Sequence, residues 1–337
     1  MDVPEYDLPA AAIAQQPIEP RHASRLLVSV SPHDGPRHCR VADLPDLLGP
    51  GDLLVVNTTR VLPARLLLTK STGGVAEVLL LEPEDGDAGS CQWTALVRPG
   101  RRLRSGTVLS HGKDEVVVVG DAIGEGRRRV RLLAGDRSVA ELLAAVGTIP
   151  LPPYIHRPLA DSERYQTVYA DRPGSVAAPT AGLHLSRTVL DRCTARGVGL
   201  ATVDLTVGLG TFRPVTAATV EDHVMHCEHY RVPAETMDAC RQARRVVAIG
   251  TTTVRALESA AASGHLTGRT GLYIHGAYSF RVVDVLLTNF HQPRSSLLVL
   301  LEAFCGPRWR ELYQLALAEG YRFLSFGDAM LVGRLPA

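Results

Sequence analysis

The 337-residue chain carries almost no net charge: 36 Lys and Arg stand against 35 Asp and Glu, for a formal charge of +1. No global field advertises a nucleic acid or a membrane surface, so any contact with a polyanion must be local. The six cysteines, Cys39, Cys91, Cys193, Cys227, Cys240 and Cys305, contain no CxxC or zinc-type spacing. Free thiols in a reducing compartment are the expectation. The N-terminal MDVPEYDLPA has no basic region followed by an apolar run, and no apolar segment is long enough to span a bilayer, which points to a soluble cytoplasmic protein. Glycine fingerprints are missing as well. The pairs Gly197/Gly199 and Gly208/Gly210 are followed by Thr202 and Arg213 where a dinucleotide motif needs its third glycine, and there is no P-loop pattern.

What is present is a polar, glycine-bearing stretch from Tyr165 to Phe212. Gly182, Gly208 and Gly210 permit close approach or positive φ. Ser175, Thr180 and Thr211 supply hydroxyls beside His184, a composition that suits a pocket read by hydrogen bonds. Length allows two domains, or one α/β domain with an insertion. Residues 64 to 147 alternate short apolar runs with Gly, Asp and Ser turns, the texture of a small antiparallel sheet or barrel. The boundaries read as a discontinuous α/β domain over 1–62 and 148–337 interrupted by a β-barrel domain over 63–147. Two arginine clusters lie in the insertion, Arg98, Arg101, Arg102 and Arg104, then Arg127, Arg128, Arg129 and Arg131. Solvated strand edges and an RNA-phosphate surface both fit them.

In the flanking parts, a short amphipathic helix closed by Pro17 and Pro20 leads to a strand at Arg25 to Val30. A buried strand from Leu53 to Val56 ends on Asn57, Thr58 and Arg60. Asn57 fits a turn former and a ligand contact equally, since open α/β sheets bind ligands at the carboxyl edge of their strands. Thr251 to Thr253 open a helix, where one hydroxyl can cap and the free amides can receive an anion. Two strands and a helix are expected between Thr270 and Gly306, with Asn289 and His291 at the strand-helix junction. His223, His226, Glu228 and His229 cluster within seven residues. Lacking HExxH and a distant ligand, they fit acid/base or hydrogen-bonding roles better than a metal. Asp328 fits either a turn former or a pocket carboxylate.

The blocks GDLLVVNTTRVLPARL, ERYQTVYA, GSVAAPTAGLHLS, VGLGTFRPV, EDHVMHCEHY, IGTTTVRALES, LLTNFHQPRSSLL and YRFLSFGDAMLV resemble, in order and over nearly the whole chain, the S-adenosylmethionine:tRNA ribosyltransferase-isomerase family of the queuosine pathway. The resemblance implies an α/β domain with an inserted β-barrel. It also implies an activity: the ribosyl part of S-adenosylmethionine is transferred to 7-aminomethyl-7-deazaguanine at the tRNA wobble position and isomerised to epoxyqueuosine, while adenine and methionine leave. Such chemistry needs a base beside the sulfonium and an acid for adenine. His184, His226, Glu228, His291 and Asp328 lie in matching blocks and are the titratable candidates. Substrate contacts are expected from Asn57, Arg60, Tyr165, Gln166, Thr180, Gly182, Gly208, Gly210, Thr211, Phe212, Thr251, Thr252, Arg255 and Asn289. No cofactor beyond S-adenosylmethionine as co-substrate, no metal and no membrane is implied, and the chain is expected to act as a monomer on tRNA carrying the deazaguanine.

The chain departs from the family pattern at Thr206, where the family reads His, at Gly276 and Ala277 before Tyr278, and at Gln292. Threonine hydrogen-bonds but does not titrate. Two further readings therefore stand beside the first: a paralogous transferase with a small-molecule acceptor, and a non-catalytic RNA-binding relative.

Overall fold

A computed structural model of the chain describes residues 1–31, 33–84, 86–100, 103–208 and 214–335. It divides into two compact units, one comprising Met1–Thr59, Pro152–Arg172 and Ala178–Ala337, the other Arg60–Leu151 and Pro173–Ala177.

The first unit is built on a nine-stranded sheet. Its central strands Gly199–Leu205, Asp52–Asn57, Arg245–Ile249 and Val285–Asn289 run parallel. Ala329–Gly333 pairs antiparallel to Val285–Asn289 and parallel to Arg25–Ser29. Parallel strands need both faces covered, and their sequences show it: all six residues of Asp52–Asn57 and all five of Val285–Asn289 are buried. Alternation of side chains sends Leu54, Val56, Val247, Ile249, Leu287 and Leu331 to one face, where Val189, Leu190 and Cys193 of helix Arg187–Ala195 complete a core. Helix Thr251–Ser263 packs against strands Gly199–Leu205, Asp52–Asn57 and Arg245–Ile249. The connection leaving Asp52–Asn57 returns to the parallel strands at Gly199–Leu205, whereas that leaving its other neighbour, Arg245–Ile249, returns to them at Val285–Asn289 on the far side, so connections from these two adjacent strands run in opposite directions. Open α/β sheets form their ligand crevice at such a switch point.

Six strands of the second unit, Arg65–Lys70, Val75–Pro83, Gln92–Arg98, Arg127–Leu132, Asp114–Gly124 and Val108–His111, pair antiparallel and close through Arg65–Lys70 against Val108–His111. Closure leaves no long unpaired edge. Trp93, Val78, Leu80, Val117 and Val130 fill the interior. Of the arginines, Arg127 pairs with Glu125 at 3.0 Å and Arg129 with Glu84 at 2.7 Å. Arg128 donates to the Leu103 carbonyl. Arg98, Arg104 and Arg131 are exposed, with no carboxylate partner among the described residues. Arg101 and Arg102 lie outside the described residues.

Two elements differ from the sequence expectation. The N-terminal segment forms single 3-10 turns at Ala10–Ala12 and Arg21–Ala23 rather than a helix, because Pro9, Pro17 and Pro20 leave no run long enough to propagate one. Between Thr270 and Gly306 one complete strand forms, not two. The buried carboxylate of Glu258, on helix Thr251–Ser263, accepts from the backbone amides of Arg281, Val282 and Val283 at 2.9, 3.0 and 3.1 Å. A side chain thus satisfies the donors that a sheet ladder would have used.

All six cysteines are free. Among the described residues no helix is long and apolar enough to cross a membrane.

Candidate active site

A cleft opens at the carboxyl ends of the parallel strands. Thr180 and Ala181, Val207, Gly250 to Thr252, Thr288, Asn289 and His291 line one part of it. The adjoining part shares Thr180, Asn289, His291 and Leu297 and adds Tyr154, Leu324 and Ser325. Val207, Gly250 to Thr252 and Asn289 come from the ends of parallel strands or the residues just after them, while Thr180 and Ala181 open the 3-10 turn Thr180–His184. The loop after Val285–Asn289 is fixed where it enters the next helix. Ser295 caps helix Ser296–Cys305 by accepting from the Leu298 amide at 3.2 Å, and Pro214 bridges to Ser295.

His291 is held in this loop from both backbone sides. Its amide donates to the Tyr313 hydroxyl at 2.8 Å and its carbonyl accepts from the Tyr6 hydroxyl at 2.5 Å. The ring Nε2 lies 2.9 Å from Thr288 Oγ1. Nδ1 has no hydrogen-bond partner among the described residues. Burial pushes the imidazole down from 6.5 to about 3, so the ring is neutral at physiological pH.

His184 is placed differently. Both ring nitrogens are engaged, Nδ1 with Ser24 Oγ at 3.0 Å and Nε2 with Asn289 Nδ2 at 2.8 Å. Thr180 donates to Asn289 Oδ1 at 3.0 Å. Burial lowers His184 to about 4, with Asp328 opposing the shift. Two histidines with folded values below their unfolded 6.5 make the unfolded chain bind more protons between about pH 4 and 6.5. Their stabilisation is complete above pH 6.5 and lost as pH falls through the folded values. Denaturant midpoints measured between about pH 7 and pH 4 are expected to fall. Each pKa unit corresponds to about 1.4 kcal/mol, and His184→Gln should show a visibly shallower decline. An equal slope in wild type and variant would contradict this.

The other acidic candidates serve the scaffold. Asp328 is buried and accepts from the backbone amides of Arg25 and Arg322 at 3.0 and 2.8 Å, with both guanidinium groups at 3.5 Å. Glu228 forms a buried ion pair with Arg255 and accepts from the Gly208 amide at 3.1 Å. Arg255 also donates to the carbonyls of Leu272 and Thr270. Asn57 is fully buried. It donates to the Leu205 carbonyl at 3.0 Å and to Thr252 Oγ1 at 3.4 Å, and it accepts from the amides of Leu205 and Thr59. It straps together the strand ends that form the cleft floor. His226 is exposed, and His223 packs edge-on against Tyr273. Among the described residues no three His, Cys, Asp or Glu side chains group as metal ligands.

Helix Thr251–Ser263 starts without a side-chain cap: Gly250, at φ 89°, holds the N-cap position. Thr253 turns its hydroxyl back to the Ile249 carbonyl at 2.7 Å. The first-turn amides beside the cleft therefore have no capping side chain, the arrangement that suits an anionic group. Gly182 is required by packing, since a Cβ there would stand 2.1 Å from Tyr169 Oη and 2.8 Å from Thr167 Cγ2. Gly182→Ala is expected to lower stability by about 1–3 kcal/mol in urea unfolding; an unchanged midpoint would contradict the packing.

Tyr165 is buried edge-on against Phe326, and the Gln166 carbonyl accepts from Arg21 at 2.7 Å. Arg60 belongs to the second unit. Gly210, Thr211 and Phe212 lie outside the described residues. Thr206 donates its amide to the His229 carbonyl at 2.9 Å, while its neighbour Val207 lines the cleft.

A cleft bearing hydroxyls, a side-chain amide and a neutral imidazole at the switch point of a mixed sheet stands where open α/β enzymes bind their ligands. The model of the queuosine biosynthesis protein family matches residues 2–332, and the chain belongs to that family. Proteins named S-adenosylmethionine:tRNA ribosyltransferase-isomerase are similar along nearly their whole length. The one from Rubrobacter xylanophilus is 50% identical, covering 97% of this chain and 96% of its own. That from Anaeromyxobacter sp. strain Fw109-5 is 49% identical over 98% of each. The crystal structure of S-adenosylmethionine tRNA ribosyltransferase from Thermotoga maritima is similar at 34% identity with a TM-score of 0.55, covering 97% of this chain and 99% of that one.

Proposed function

We propose that the protein transfers and isomerises the ribosyl moiety of S-adenosylmethionine onto 7-aminomethyl-7-deazaguanine at the tRNA wobble position, giving epoxyqueuosine and releasing adenine and methionine, with no cofactor beyond the co-substrate. The observation that carries this reading is the cleft at the switch point, where the Thr251 helix start, the Thr180–Asn289 pair and the His291 ring line one space. The helix start suits the carboxylate of the methionine part. Thr180 and Asn289 suit the nucleoside.

His291 is the base in this reading. A neutral imidazole tolerates a neighbouring sulfonium cation, whose charge acidifies the adjacent C5′ proton; in the tautomer whose Nε2–H donates to Thr288 Oγ1, Nδ1 holds the lone pair that has no partner among the described residues. The exposed arginines Arg98, Arg104 and Arg131 are the candidates for tRNA phosphate contacts. Purified protein given S-adenosylmethionine and tRNA carrying the deazaguanine is expected to release adenine only when both are present. A folded protein that releases none would refute the reading. Release without change to the tRNA would favour the small-molecule acceptor.

A further inference from the structure

The hydrogen bonds behind the cleft run in one direction, and that direction decides which kind of ligand atom the cleft reads. Asn289 Nδ2 lies 3.2 Å from the Leu324 carbonyl. A carbonyl only accepts, so this atom is the amide nitrogen and the side chain cannot be turned over. Leu324 presents that carbonyl from a left-handed φ of 68°, a conformation a leucine adopts only when its surroundings impose it. The same nitrogen lies 2.8 Å from His184 Nε2, which must therefore accept. The ring proton then sits on Nδ1 and is donated to Ser24 Oγ at 3.0 Å, and Ser24 passes its own proton to the Arg21 carbonyl at 3.0 Å. With the amide fixed, Asn289 Oδ1 is the acceptor and the Thr180 hydroxyl is the donor, at 3.0 Å. Every proton in the relay is committed. Only lone pairs remain on Thr180 Oγ1.

We infer that Thr180 Oγ1 is an acceptor of fixed polarity that selects a hydrogen-bond donor, a hydroxyl or an amine N–H, on the substrate nucleoside, and that His184 is a positioning residue that sets this polarity through Asn289. The inference rests on the proposed function, which supplies a nucleoside with both kinds of donor. Burial keeps His184 neutral across the physiological range. A protonated ring would make both nitrogens donors, forcing the amide to rotate and breaking its bonds to Leu324 and Thr180. His184 and Ser24 touch no ligand in this account. They fix the rotor that does.

The test is equilibrium binding of S-adenosylmethionine, without tRNA, to wild type, Thr180→Val, Thr180→Ser, His184→Gln and His184→Phe, each first shown to melt cooperatively. Analogues with hydrogen in place of the 2′-hydroxyl, the 3′-hydroxyl or the exocyclic adenine amine identify the donor that is read. Thr180→Val is expected to bind the parent compound at least tenfold more weakly, whereas Thr180→Ser keeps the contact. One analogue should lose tenfold on wild type and nothing further on Thr180→Val, and the others should lose equally on both proteins. His184→Gln, which retains an acceptor, should preserve the discrimination that His184→Phe loses, and in parallel turnover assays with the tRNA the effect should fall on KM rather than kcat. Wild-type affinity in Thr180→Val, or analogues that all lose equally on both proteins, overturns the inference while leaving the proposed function intact. A His184→Gln protein that binds normally but has lost kcat also overturns it, because His184 would then act on the reacting atoms. Wild type that binds no S-adenosylmethionine either alone or with the deazaguanine-bearing tRNA present sinks the proposed function, and the inference with it.

Discussion

Replacing His291 by alanine is expected to reduce turnover by about 10²–10⁴-fold, the range for losing a positioned general base, while the protein still binds S-adenosylmethionine. The expectation follows from what the other titratable candidates are doing. His184 has both ring nitrogens engaged by Ser24 and Asn289. Asp328 is committed to two backbone amides, and Glu228 to Arg255 and the Gly208 amide. His291 alone among the five candidates lines the cleft with a ring nitrogen that has no partner among the described residues, and its backbone is pinned by Tyr6 and Tyr313. Pinning of that kind restricts the ring to the geometry a proton transfer needs. His291→Gln should restore binding geometry without restoring the rate. Turnover of His291→Ala within about threefold of wild type would remove His291 from the chemistry.

The second large effect concerns the buried pair Glu228–Arg255, whose residues are 7% and 5% exposed. Removing one partner leaves a desolvated charge uncompensated, so Glu228→Ala or Arg255→Ala is expected to destabilise by about 3–5 kcal/mol. Calorimetry would register this as a drop in melting temperature on the order of 10 °C. Replacing both residues together by methionine should recover most of the loss, because no charge then remains unpaired. The singles carry a functional signature too. Glu228 holds the Gly208 amide at 3.1 Å, beside cleft-lining Val207, and KM for S-adenosylmethionine should rise even where the variant is folded. Two single variants with unchanged melting temperatures would contradict the burial of the pair.

Much of the fold is legible because period-2 alternation is a local signal. Arg65–Lys70 and Val75–Pro83 read as half-buried strands from their sequences alone, and the continuous apolar run at Leu53 to Val56 reads as a strand buried on both faces. The missing strand before Val285 is instructive in the opposite sense. Val282 and Val283 carry strand propensity, yet their amides and that of Arg281 are taken by Glu258, more than twenty residues earlier in a helix. No window on the sequence contains both partners.

The cleft was legible where hydroxyls and amides crowd the ends of strands, at Thr180, Thr251, Thr252, Asn289 and His291. Ser24, Thr288, Tyr154, Tyr6 and Tyr313 were not singled out, although they hold or line the same space. Ser24 meets His184 across 160 residues and Tyr6 meets His291 across 285, and each taken alone is an ordinary residue near an ordinary turn. Thr288, next to Asn289 and three residues before His291, carried the nearest available signal: a hydroxyl spaced to reach the imidazole. The three threonines at Thr251 to Thr253 fit both a cap and an anion-receiving helix start, and Gly250 occupies the cap position and leaves that start open. The absent cap is the more informative feature, because it leaves amides for a ligand.

The ribosyl carbons of S-adenosylmethionine, and not its methyl group, are expected to end on tRNA. The direct measurement uses two preparations of S-adenosylmethionine, one labelled in the ribose carbons and one in the methyl group, each incubated with the protein and tRNA carrying 7-aminomethyl-7-deazaguanine. Ribose label is expected to become bound to tRNA in step with adenine release while methyl label stays with free methionine. Methyl label on the tRNA, or ribose label that never leaves the small-molecule fraction, would contradict it.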